Sequence, residues 1–94
     1  MKEDPRIGRI RDNVRKEIAL AGYGTVELFA HEHGIDKSTL SRLLSGKREP
    51  RLSTLFRIAD SLEIMMERLL IMDRPLLQAA ERPVKGYKSF RRTK

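Results

Sequence analysis

Residues 36–45, DKSTLSRLLS, set Lys37, Ser38, Thr39, Ser41, Arg42 and Ser45 within ten positions. Wound as a helix at about 100° per residue, Leu40, Leu43 and Leu44 gather within about a third of the circumference. Ser38, Ser41, Arg42 and Ser45 fall on the opposite side, with Lys37 at its edge. One face is greasy. The other is a strip of short hydroxyls with a long cation near each end. Small residues let a helix backbone come close to base edges. Arg and Lys donate to guanine O6 and N7, and Ser and Thr bond bases or phosphates. No acidic side chain follows the cap on this face, whereas a solvated face usually mixes both signs. Short polar-faced helices are common, so the wheel alone does not separate a groove-reading helix from a solvated one.

Other chemistry is poorly supported. His31-Glu32-His33 places two imidazoles two residues apart. On a helix these point about 200° apart, so they do not converge on a metal. Asp60 and Glu63 are near neighbours, but paired carboxylates on a surface helix are ordinary. The chain has no cysteine, no histidine in a relay and no glycine-rich phosphate loop. It is therefore expected to be no enzyme and to need neither metal nor cofactor.

Charge supports a polyanionic partner, with a qualification. The formal net charge is +7 and the sequence pI about 10.3, which favours nucleic acid or an acidic surface. Residues 1–24 carry six basic and four acidic side chains, residues 25–63 six of each, and residues 64–94 eight basic and three acidic. The excess lies toward the C-terminus, so bulk basicity does not identify the 36–45 stretch. The N-terminal residues lack the apolar stretch of a secretory signal, and Leu69-Leu70-Ile71-Met72 is too short to span a bilayer. With no cysteine, the chain is expected to be soluble and cytoplasmic, without a membrane partner.

The elements that must position the polar strip are helical throughout. Ile7, Ile10, Val14, Ile18 and Ala21 predict a first helix over 7–21, ended by Gly22-Tyr23-Gly24. Thr25 suits an N-cap, with Glu27 in the first turn of a second helix. Leu28, Phe29 and Ala30 form its inward face, and Gly34 closes it. Asp36 suits the N-cap of the third helix, Ile35 and Leu40 have the spacing of a hydrophobic staple, and Gly46 ends it. After Pro50, a fourth helix turns Leu52, Leu55, Phe56, Ile58, Ala59 and Leu62 inward. A fifth, over about 64–73, contains Ile64, Met65, Met66, Leu69, Leu70 and Met72. Pro75 interrupts it, and PLLQAAERP adds one or two turns. The last thirteen residues, RPVKGYKSFRRTK, have six basic residues and no acidic one, and read as a flexible tail able to touch DNA phosphates. The expectation is all-α, with residues 1–73 as the domain and 74–94 as an extension.

The run TVELFAHEHGIDKSTLSRLLSGKREPRLSTLFRIADSLEI resembles the helix-turn-helix of the phage repressor and Cro (XRE-like) family. Ala30 before Gly34, then Ile35, Leu40, Leu43, Gly46-Lys47, Pro50, Leu52, Leu55 and Ile58-Ala59…Leu62 agree in one register, and the likeness spans roughly 7–72. It implies a five-helix lambda-repressor-like domain whose third helix reads double-stranded DNA. By that resemblance Lys37, Ser38, Ser41 and Arg42 would face bases, and Thr39 bases or phosphate. Thr25 and the N–H groups opening helix two would hold a phosphate, while Ser45, Lys47, Arg48 and Arg51 would line the flanking backbone.

Three positions depart from the family. Val26 stands where the family usually has Gln, leaving Thr25 and the backbone at Val26 to meet the phosphate. Leu44 stands where the family often has Glu, so apolar packing is expected in place of a polar tie to helix one. Arg51 sits where a small N-cap is usual, so helix four is expected to begin near Ser53.

Apolar residues at the C-terminal end exceed the needs of a five-helix core. Met65, Met66, Leu69, Leu70 and Met72 are read as a homodimer interface, since regulators of this kind read two-fold operators. The rival class is a protein-binding module on the same fold: an antitoxin using 64–94 to hold a partner toxin while also repressing its own operon. A controller of a restriction–modification system is a further role for so small a regulator.

Overall fold

The computed structural model describes residues 3–73. Five helices follow one another without a strand among the described residues: α1 Pro5–Leu20, α2 Val26–Glu32, α3 Lys37–Ser45, α4 Leu52–Leu62 and α5 Glu67–Leu70. The expected tail, the turns after Pro75 and the whole of the 74–94 extension lie outside the described residues.

α1 starts two residues earlier than the apolar spacing predicts. Asp4 caps it by accepting from the Arg6 N–H at 2.9 Å, and Pro5 occupies N1, where its missing N–H costs nothing. The Arg6 guanidinium and N–H hold the Asp4 carboxyl down at about 2. Val14 and Ile18 of α1 are fully covered, whereas Ala21 is exposed.

The core is one cluster. Val14 and Ile18 meet Phe29 and Ala30 of α2, Ile35 of the turn, Leu40, Leu43 and Leu44 of α3, Leu55, Ile58 and Ala59 of α4, and Leu69 of α5. Three expected inward residues are not part of it. Leu28 is exposed on α2, and on α4 Leu52 and Phe56 are 63% and 52% exposed. α4 is amphipathic, and Leu55, Ile58 and Ala59 already fill its buried side. Leu52 and Phe56, four residues apart, share its outer side. α4 also begins at Leu52 rather than near Ser53. Arg51 is its N-cap residue and makes no side-chain capping bond.

The fifth helix is far shorter than expected. α4 ends in Glu63, held in the left-handed conformation at φ 58°, so the chain turns before α5 can begin. At the other end the Asn13 amide donates to the carbonyls of Leu69 (3.0 Å) and Ile71 (2.9 Å). Ile71 is already extended there, which closes α5 after one turn. Arg68 reaches Glu17, itself buried on α1, through Nη2 and Nε at 3.1–3.3 Å. α5 is therefore a docked turn whose anchor is Leu69, 0% exposed. Leu69 was expected on a dimer face. It is sealed in the monomer's core and has no surface for a partner.

This arrangement predicts a contrast between adjacent leucines. Leu69→Ala should cost about 2–5 kcal/mol, the usual range for a buried leucine. Leu70→Ala, on the outer side, should cost less than about 1 kcal/mol. Urea unfolding of the two variants checks this.

Candidate nucleic-acid interface

α3 is held in place from both ends and from beneath. The Asp36 carboxylate accepts from the Thr39 N–H at 3.1 Å and from the Thr39 hydroxyl at 2.8 Å. That hydroxyl first and the N–H second hold the Asp36 carboxyl below its ordinary value. Leu40, Leu43 and Leu44 are buried beneath the helix. At the far end Gly46 adopts φ 87°, which a residue with a Cβ would resist, and its N–H returns to the Arg42 carbonyl.

The last carbonyls of a helix lack intrahelical partners. Here α1 supplies them. Arg11 Nε donates to the Leu43 carbonyl at 2.6 Å and Arg15 Nη2 to the Leu44 carbonyl at 2.7 Å. Leu44 does pack into the core, but the expected loss of a polar tie to helix one does not occur. The tie runs to the backbone at Leu43 and Leu44, so it does not need a glutamate side chain.

The turn between α2 and α3 is fixed from α4. Arg57 Nη2 donates to the carbonyls of Gly34 (2.8 Å) and His33 (3.3 Å). Gly34, at φ 65°, lets the chain reverse under that guanidinium. The His33 ring lies against Tyr23 and Phe29, with Nε2 at 2.7 Å from the Tyr23 hydroxyl. His33 is thus part of an aromatic cluster and does not pair with His31. Among the described residues no group of three or more His, Cys, Asp or Glu could hold a metal ion.

The sequence-predicted contact residues fall into three adjoining surface hollows. The first, about 430 Å³, is bordered by Arg15, Thr25, Val26, Glu27, Lys37, Ser41 and Ser45 over the apolar floor of Ala30, Leu40 and Leu44. The second, about 400 Å³, runs along the outer face of α3 and is lined by Glu27, Lys37, Ser38, Ser41, Arg42, Ser45 and Lys47. The third, about 300 Å³, is bounded by Thr39, Arg42, Arg48, Arg51 and the first turn of α4. Arg42 lines both the second and the third.

Most of these side chains have no duty inside the protein. Lys37, Ser38, Ser41 and Arg42 are exposed and take part in no side-chain hydrogen bond or ion pair among the described residues. Thr39 is different, since its hydroxyl hydrogen is committed to Asp36. Thr25 accepts from the Leu28 N–H at 3.1 Å and keeps its own hydroxyl hydrogen. The Val26 side chain turns toward the core, which leaves only its N–H for a partner. Of the residues expected on a dimer face, Met65 is 67% exposed and Leu70 also reaches solvent, while Met66 and Met72 are half-buried. Ile71, not expected there, is 58% exposed.

Sequence reasoning missed two kinds of residue here. Glu27 appears in the sequence as an acid suited to a helix start, yet it borders two of the hollows. Arg11, Arg15 and Arg57 carry no sequence signal beyond their charge, yet each spends its guanidinium on backbone carbonyls around α3. The three- and four-residue spacing from Val14 could have placed Arg11 on the inner side of α1. Nothing in the sequence indicates which carbonyls it meets.

A family model described as helix-turn-helix matches residues 16–68, more than half of the chain. No curated protein and no solved structure matches it.

The Asp36 cap generates a pH prediction. Its folded pKa lies below the unfolded value, so the cap contributes stability above about pH 4 and loses it as pH falls through the lowered value. Thermal melting of Asp36→Asn between about pH 5 and pH 2 should show a shallower decline than wild type, with similar behaviour near pH 7, because Asn also caps well.

Proposed function

The chain belongs to the helix-turn-helix family of DNA-binding regulators, and from that premise we propose that it regulates transcription by setting α3 into the major groove of an operator. One observation carries the reading. Lys37, Ser38, Ser41 and Arg42 line a single hollow, and their side chains make no hydrogen bond or ion pair among the described residues, although the Arg42 charge also favours the Asp36 carboxylate. Their donors are free for base edges. Thr39, partly committed to its cap, is assigned a supporting contact to base or phosphate.

The surrounding groups take the positioning part. The Thr25 hydroxyl, the Val26 N–H, Ser45, Lys47, Arg48 and Arg51 are assigned to phosphates, which fix register without reading sequence. Lys37 and Arg42 carry base discrimination as bidentate donors to guanine. The protein acts in the cytoplasm as a homodimer on a two-fold site, with two copies of α3 about 34 Å apart. Exposed Met65, Leu70 and Ile71 are assigned to the dimer face, with Met66 and Met72 at its edge. The same apolar end supports a second reading, an antitoxin whose partner toxin covers Met65 and Ile71.

Selection of bound sequences from a random DNA pool tests the main reading. Wild type should enrich a two-fold motif. Arg42→Ala should lose about 1–3 kcal/mol of discrimination between that motif and scrambled DNA. An Arg42→Ala variant with full discrimination would remove α3 from the role.

Sedimentation tests the dimer separately. Met65→Glu combined with Leu70→Glu should give a folded monomer that protects one half-site. An unchanged dimer would move the interface elsewhere.

A further inference from the structure

We propose that Arg11 is the positioning residue of the reading surface: it fixes α3 and the basic loop after it in one relation, and Glu3 holds Arg11 in place. The proposal rests on the DNA-reading assignment above and concerns a residue that is buried and assigned no base or phosphate there. Arg11 is 7% exposed, on the side of α1 turned toward α3. Its guanidinium donates in three directions. Nε meets the Leu43 carbonyl at 2.6 Å, in the last turn of α3. Nη2 meets the Arg48 carbonyl at 3.1 Å, in the loop. Nη1 and Nη2 pair with the two carboxylate oxygens of Glu3.

The loop from Gly46 to Pro50 has little else to hold it. Lys47 N–H returns to the Arg42 carbonyl at 3.2 Å. Among the described residues no side chain other than Arg11 bonds the backbone of 46–50. Yet this loop carries Lys47 and Arg48 and leads directly to Arg51, all assigned to phosphate. α3 itself keeps three buried leucines, so the loop depends on Arg11 more than the helix does.

Planarity makes the residue type matter. A guanidinium sends its N–H groups along fixed directions in one plane and can hold three chain segments at set angles. A lysine ammonium keeps the charge but is a point donor at the end of a flexible stem. Glu3 completes the arrangement. It supplies the counter-charge to a cation that burial would otherwise penalise, and the same pairing holds the Glu3 carboxyl below its ordinary value. The N-terminal residues thereby bear on DNA reading without contacting DNA.

The test compares wild type, Arg11→Lys, Glu3→Gln and Arg42→Ala as full chains. Each is bound to the selected operator and to scrambled duplex across a range of salt. Circular dichroism, melting and amide exchange of residues 46–49 accompany the binding. Arg11→Lys should keep its helices, lose about tenfold in operator preference, and lower the salt slope by about one to two, as phosphate contacts from the loop are lost. Glu3→Gln should shift both in the same direction by less, and its 46–49 amides should exchange several-fold faster.

A folded Arg11→Lys with wild-type preference and slope overturns the proposal. So does a Glu3→Gln indistinguishable from wild type in slope and exchange, which also decides the matter if Arg11→Lys does not fold. If wild type prefers no sequence, the groove-reading assignment fails instead. Amide exchange then still reports whether Arg11 holds the loop.

Discussion

The burial of Leu40, Leu43 and Leu44 beneath α3 is the contact on which the rest of the molecule depends. A nine-residue helix is marginal alone in water, because nucleation costs more than so few turns return. Packing supplies the difference. The three leucines join Val14 and Ile18 of α1, Phe29 and Ala30 of α2 and Ile58 of α4 in one cluster. The same contact settles orientation. A helix with one side fixed in the core can show a partner only the other, and here that side holds two cations and a row of hydroxyls. Stability and presentation are two results of one amphipathic pattern.

A second layer is electrostatic and backbone-directed. Three arginines from outside α3 donate to carbonyls at its far end, in the loop after it and in the turn before it. Cations at a helix C-terminus also sit favourably against the helix dipole. Side-chain partners across such an interface must change together if either changes. Backbone carbonyls are present whatever residue stands there. This explains how Leu44 can replace a polar residue without detaching α3 from α1.

The parts visible in the sequence are those governed by local rules. Asp36 as a cap, Gly46 as a stop and the leucine side of α3 follow from spacing and residue type, and the structure has each of them. α4 was legible in extent but not in its inner side, because Leu52 and Phe56 are as apolar as the residues that are buried. Only packing determines which apolar residues are left out. α5 was misjudged for a related reason. A dense apolar run reads as a long helix, but the left-handed Glu63 and the Asn13 amide confine it to one turn. Those constraints come from fifty or more residues away or from a conformation unusual for glutamate. Of the candidate site, the exposed polar strip of α3 was legible and the arginines that hold its frame were not, since an arginine bonded to backbone carbonyls and one pointing only at solvent look alike in a sequence.

The division of labour within α3 bears on how such a protein changes over generations. Lys37, Ser38 and Ser41 make no side-chain bond to a cap, a core contact or a tie, and Arg42 touches the frame only through the pull of its charge on the Asp36 carboxylate. Structural work rests on Asp36, Thr39, the leucines and Gly46. On the proposed reading, the recognised sequence is free to drift at little thermodynamic penalty, while the scaffold that presents it stays the same. If α3 reads an operator as proposed, duplicated copies of such a gene diverge toward new operators by a handful of surface substitutions, and the same four positions are where a designer would start.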